Sequence, residues 1–157
     1  MRSLVVYFSR TGTTRKVAEL AARSLGADLV ELHTQPYGLG LLHYVRAAYD
    51  SVKGRLPRIE YDRIEAASYD FVLLLSPVWA GHAATPMRAY ATETKGIKRA
   101  AAVLCCGGHA PPRAFDELAE LAQVRLEKRV VLRQADVKRS ATLPADLEQF
   151  LAFIRSA

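Results

Sequence analysis

Three apolar runs constrain this chain more than anything else in it. Leu4-Val5-Val6-Tyr7-Phe8, Tyr69 to Leu75 (YDFVLLL) and Ala100 to Cys105 (AAAVLC) carry apolar side chains at odd and even positions alike. Successive side chains of a strand point to opposite faces, so strands of this kind must be covered on both. A sheet sandwiched between two layers of helices meets that demand, and parallel strands joined by helical crossovers are its usual form.

The segments between the runs read as those helices. Thr13 to Leu25 places Val17, Leu20, Ala21 and Leu25 on one face, and Gly26 ends it. Thr85-Pro86 opens a second helix, with Thr as N-cap and Pro in the first turn. Ala114 to Leu126 and Pro144 to Ile154 are two more, with Phe115, Leu118, Ala119 and Ala122 in register in the first and Leu147, Phe150, Leu151 and Ile154 in the second. Asp28 to Leu32 and Arg129 to Gln134 complete a set of five strands. The expected fold is therefore α/β: a doubly wound five-stranded parallel sheet in the order 2-1-3-4-5, helices on both faces. Its 157 residues suffice for a single domain, residues 1–157, with a sizeable core.

Residues 33–68 break the alternation. Leu41, Tyr44, Val45, Ala48 and Val52 have helical spacing, which predicts a helix from about Leu39 to Lys53, followed by a loop around Lys53-Gly54-Arg55-Leu56-Pro57. Two readings stand for this segment. It is an ordinary crossover helix with partly exposed tyrosines, or a lid or dimer surface beside a ligand site.

In a doubly wound sheet, ligands bind beyond the carboxyl ends of the strands, where the strand order reverses. The first strand ends there, and it is followed by Ser9-Arg10-Thr11-Gly12-Thr13-Thr14. One helix cap needs one hydroxyl; here there are four. A helix N-terminus offers unpaired N–H groups and a partial positive charge, so this loop suits a phosphate. Gly12 allows the backbone to curl, and Arg10, Arg15 or Lys16 are available to add charge. The GxxxxGK[ST] of nucleotide hydrolases and the GxGxxG of dinucleotide-binding folds are both missing.

The pattern Ser9-x-Thr11-Gly12-x-Thr14 after a first strand resembles the phosphate loop of the flavodoxin family. Ser76-Pro77-Val78-Trp79-Ala80-Gly81-His82 resembles the loop that borders the flavin ring in that family, and Cys106-Gly107-Gly108-His109 the glycine-rich loop on the ring's other side. The resemblance implies bound FMN as cofactor. Ser9, Arg10, Thr11, Gly12, Thr13 and Thr14 would hold its phosphate. Pro77, Val78, Trp79, Ala80 and Gly81 would line the ring on one side, and Cys106, Gly107, Gly108 and His109 on the other. No catalytic side chain is implied, since the cofactor carries the chemistry.

The implied function is an oxidoreductase passing electrons or hydride through the flavin, with NAD(P)H and a quinone or a redox protein as partners. The alternatives are an electron carrier of flavodoxin type and a flavin-free module that binds another phosphate ligand or a protein. The net charge of +6 departs from the acidic balance of electron-carrier flavodoxins, and Ala80 stands where relatives often have a bulky aromatic. A phosphatase of similar topology would need Cys-x5-Arg, but the first arginine after Cys106 is Arg113, one residue too far. The adjacent Cys105 and Cys106 have neither zinc nor CxxC spacing; at least one reads as a small buried apolar residue, and a reactive thiol is the other reading. Nucleic-acid signatures are lacking, and no apolar run approaches the ~20 residues of a membrane span. Neither a nucleic-acid nor a membrane partner is expected, while a homodimer remains open. Because the chain starts directly on a strand, without room for a signal peptide, a cytoplasmic location is the expectation.

Overall fold

A computed structural model describes every residue except 36, 38, 39, 63 and 157. In chain order its elements are β1 (Ser3–Tyr7), α1 (Thr13–Leu25), β2 (Asp28–Glu31), α2 (Leu41–Lys53), β3 (Phe71–Trp79), β4 (His82–Ala83), α3 (Thr85–Glu93), β5 (Ala100–Cys106), α4 (Pro112–Leu121), β6 (Leu126–Arg133), α5 (Gln134–Arg139) and α6 (Ala145–Ser156). Five strands form the parallel sheet β2-β1-β3-β5-β6, and β4 folds back antiparallel on β3. With that two-residue strand set aside, this is the 2-1-3-4-5 order expected from the sequence.

The apolar runs explain their own placement. β1, β3 and β5 are the three inner strands, and nearly all their side chains are buried. Alternate residues of β1 feed two separate cores. Leu4 and Val6 join Val72, Leu74, Met87, Tyr90 and Leu118 beneath α3 and α4. Val5 and Tyr7 join Leu73, Val103, Val17, Ala21, Leu147 and Leu151 beneath α1 and α6. β6, at the edge, buries only alternate residues, so its apolar spacing was the harder to read.

Several boundaries differ from expectation. The helix expected at Ala114 to Leu126 begins at Pro112 and ends at Leu121. Gln123 turns the chain with φ 53°, which frees Leu126 to start β6. Gln134, expected as the end of that strand, opens the short α5 instead. Tyr69 lies before β3 and sends its hydroxyl to the Asp28 carboxylate at 2.6 Å. At its other end β3 runs on to Trp79. The segment expected to be a loop after Leu75 is mostly strand, closed by a two-residue hairpin turn at Ala80 and Gly81. Both have positive φ, 49° and 80°, as a turn that follows the twist of its strands requires.

The helix expected over Leu39 to Lys53 is α2, with Leu39 outside the described residues. Its orientation is unexpected. Ala47, Asp50 and Ser51 face the sheet, while Leu41, Leu42, Tyr44, Val45, Tyr49 and Val52 face outward. Polar anchors set this. The Tyr37 hydroxyl donates to the Asp50 carboxylate at 3.0 Å, and Ser51 Oγ donates to the Trp79 carbonyl at 2.8 Å. The guanidinium of Arg88, itself buried on α3, donates to the Ser51 carbonyl at 3.1 Å. Turning the helix over would leave these buried groups unpaired, each at a cost of about 1–3 kcal/mol.

Candidate functional site

The carboxyl ends of β1, β3 and β5 lie side by side. Tyr7 pairs with Leu75, and Pro77 with Cys105. The three loops singled out in the sequence therefore meet along one edge of the sheet, at the point where the strand order reverses.

The first loop leaves β1 and enters α1 through Gly12, which has φ 90°. Ser9 Oγ accepts a hydrogen bond from the Gly12 N–H at 3.1 Å, pinning the turn. No side chain caps α1, and its first turn carries no acidic residue. A Cβ built on Gly12 would meet nothing within 4 Å, so the turn opens onto free space. Such an end suits an anion.

The four hydroxyls are not equivalent. Thr11 is exposed and Ser9 half-buried, while Thr13 and Thr14 are buried. Thr14 hydrogen-bonds the Cys105 thiol, whose pKa burial pushes up to about 11 and the Thr14 contact opposes. Cys105 is therefore an inert core residue at neutral pH. Cys106 is also buried.

The three cations near the loop separate as well. Arg15 pairs with Glu31 at 2.5 Å, and that hydrogen bond raises its already high pKa. Lys16 Nζ donates to the Val137 carbonyl at 2.8 Å. Arg10 leans toward α2, with its guanidinium 3.4 Å from the Gly40 carbonyl and 5.5 Å from the centre of the Tyr44 ring.

In the second loop Pro77 is buried, Val78 half-buried and Ala80 exposed. Ser76 ties the hairpin together: its hydroxyl accepts from the Ala84 N–H and donates to the Pro77 carbonyl, both at 2.9 Å. Trp79 points inward, packing edge-on against Phe8 and Tyr37 with ring centres 5.4 and 5.0 Å away. Its indole thus backs the loop and links it to the 33–68 segment. A Cβ on Gly81 would stand 2.8 Å from the Arg113 guanidinium, which lies over this turn.

In the third loop Gly107, Gly108 and His109 are exposed, and a Cβ on either glycine would meet nothing within 4 Å. Open space above Gly12, Gly107 and Gly108 leaves the edge clear for a group that contacts backbone.

Sequence reasoning missed the brace behind the second loop. Glu117 on α4 holds His82 Nδ1 at 2.8 Å with one oxygen and the Arg88 guanidinium at 2.5 Å with the other. Arg88 reaches on to Ser51, and Ser51 to Trp79. Nothing in the spacing of residues 51, 82, 88 and 117 announces this chain. The one available signal was an arginine inside a helix whose other positions are mostly apolar.

Comparison with known proteins agrees with this geometry. The sequence profile of the flavodoxin family matches residues 2–121. No curated protein matches the chain. Among solved structures, a flavoprotein from Lactobacillus acidophilus NCFM in complex with FMN is similar, with a TM-score of 0.71 and 24% identity over 88% of this chain and 97% of that one. A flavodoxin from the domain Archaea has a TM-score of 0.57 and 15% identity over 99% and 97% of the two chains. An NADH:FMN oxidoreductase in its apo form has 0.59 and 15% over 99% and 87%. With the parallel sheet, the reversal point and the three loops in place, the profile match over most of the chain leads to one conclusion: it belongs to the flavodoxin family.

Proposed function

We propose that the protein binds FMN across the three loops and works as an oxidoreductase, passing electrons or hydride to a quinone-like or protein acceptor. The observation that carries this reading is the uncapped N-terminus of α1 behind an open Gly12 turn, beside a second open turn at Gly107 and Gly108. The residues present fit the cofactor, because Gly12, Gly107 and Gly108 leave room above the backbone for a planar, phosphate-bearing group, while Arg113 lies over the turn at Gly81. Bound FMN would supply the redox centre.

The chain's own residues would do the rest. The first-turn N–H groups of α1, with Ser9 and Thr11, would hold the phosphate, and Arg10 would add charge. Thr13 and Thr14 would contribute mainly backbone N–H groups, since both side chains are buried. Pro77, Val78, Ala80 and Gly81 would flank one side of the ring and Cys106, Gly107, Gly108 and His109 the other. Trp79 would support the second loop from behind. Ala80 leaves that face open for a donor or an acceptor.

Visible absorption of the freshly purified protein and a titration with added FMN test the cofactor. The Thr11→Glu variant should weaken FMN binding at least ~10-fold through charge repulsion, with an unchanged melting temperature. A colourless protein that takes up no added FMN would sink the reading. Oxidation of NADH or NADPH with a quinone then separates an enzyme from an electron carrier, which would bind the flavin without turning over.

A further inference from the structure

We propose that the outward face of α2 is a docking surface for an anionic lipid bilayer, on which the helix lies flat. The helix is amphipathic but inverted, its polar and small residues packed on the protein and its apolar face outside. Leu41, Leu42, Tyr44, Val45, Tyr49 and Val52 are 50 to 84% exposed. At 3.6 residues per turn, Leu41, Val45 and Val52 form the middle of a stripe, with Tyr44 toward one edge and Tyr49 toward the other. A contiguous apolar patch of this kind on a soluble protein marks a contact surface.

Charge chooses the occupant. Each edge tyrosine carries a guanidinium: Arg10 lies 5.5 Å from the Tyr44 ring centre and Arg55 lies 5.4 Å from that of Tyr49. Lys53 extends the basic border, and so does the exposed Arg46, which pairs at 3.6 Å with the buried Asp50, the only carboxylate from Gly40 to Arg58. A second copy would bring the same basic border and, over residues 40–58, no exposed carboxylate to meet it. An acidic protein would meet the border but offers no general match for a central aliphatic stripe. A bilayer surface has both parts in the right order: acyl chains for the aliphatic centre, a headgroup zone for tyrosine and arginine, and anionic headgroups for the basic rim. Among the described residues no helix is long and apolar enough to cross a membrane, so contact is along the surface. The sequence-based expectation of no membrane partner rested on the lack of an apolar run long enough to span a bilayer, a criterion that does not test a helix lying in its surface.

Arg10 belongs both to the first loop and to this border, so docking would hold the loop edge close to the lipid. If the flavin reading also holds, the acceptor is one that dissolves in the bilayer; vesicle binding itself does not depend on that reading.

The test is flotation of the full-length protein with phosphatidylcholine vesicles, with and without phosphatidylglycerol. Binding should require phosphatidylglycerol and weaken as salt is raised. The Val45→Asp/Val52→Asp double variant, whose positions are exposed, should lose at least ~10-fold in vesicle affinity while keeping wild-type circular dichroism and FMN titration. If that variant misfolds, Val45→Ser/Val52→Ser takes its place, with a smaller loss expected. Absence of vesicle binding, or equal binding to pure phosphatidylcholine, overturns the proposal. So does a wild-type dimer seen by light scattering that the aspartates dissociate while lipid stays unbound. Loss of FMN binding with vesicle binding intact would instead count against the flavin reading alone.

Discussion

Helices α1 and α2 are each 13 residues long, amphipathic, and stopped by a left-handed glycine, Gly26 and Gly54. They start at corresponding places too, after the first and the second strand. Yet α1 buries Val17, Ala18, Ala21, Ala22 and Leu25 against the sheet, whereas α2 buries Ala47, Asp50 and Ser51 and turns its larger apolar residues out. The hydrophobic pattern of a helix states that it has two unlike faces. Which face goes inward depends on what waits there. Beneath α1 lie mainly apolar side chains, Val5, Leu73 and Val103 among them, and the Cys105 thiol there is met by Thr14. Beneath α2 lie the Tyr37 hydroxyl, the Trp79 carbonyl and the Arg88 guanidinium, which only a polar face can meet.

The comparison breaks most readily on the α1 side. Leu25→Ala should destabilise the protein by about 3 kcal/mol, since it empties a buried site, and urea unfolding would measure it. A loss under ~1 kcal/mol would show that α1 is not the better-buried helix. The next largest effect is alkaline. The Cys105 thiol under Thr14 is raised from 9.0 to about 11 in the folded chain. A group with a raised folded pKa stabilises fully below its unfolded value, and that contribution fades as pH climbs through the folded one. The wild type should therefore lose roughly 2 kcal/mol between these pH values through this group. Cys105→Ala should remove that part of the decline, and melting temperatures across the range would read it. Tyr90, held at about 12 chiefly by burial, slopes the same way in both proteins and cancels in the difference.

On the α2 side the effects shrink. Ser51→Ala should cost about 1 kcal/mol, because it leaves the Trp79 carbonyl without its donor. A cost indistinguishable from zero would mean that the helix is not anchored by its polar face. Leu42→Ala, at the most exposed of these apolar positions, should move stability by less than ~0.5 kcal/mol. A loss as large as that of Leu25→Ala would place Leu42 in an interface of the free protein. The two leucine variants, measured side by side, are the sharpest form of the contrast.

How much could be read in advance follows from the range of the forces involved. Val5, Leu73 and Val103 announced inner strands because an apolar side chain on both strand faces has few other homes. The Ser9–Thr14 loop was legible because its chemistry is local: a strand end, a glycine and a helix start within six residues. Trp79 was less so, since its neighbours Phe8 and Tyr37 are 71 and 42 positions away in the chain. The extension of β3 to Trp79 was hidden by Pro77, which reads as a loop residue. There it sits next to a hairpin turn, and β4 pairs only with the residues beyond it.

The amino-acid order alone determined the layers, the strand order and the place where the three loops meet, because burial on two faces and helix–strand alternation are properties of short stretches. Tertiary structure decided the face on which α2 sits, the joining of Glu117 to His82 and Arg88, and which threonines of the first loop remain open to a ligand. Those outcomes depend on hydrogen bonds between groups far apart in the chain. Such bonds are worth enough to turn a helix over, but they leave no period in the sequence.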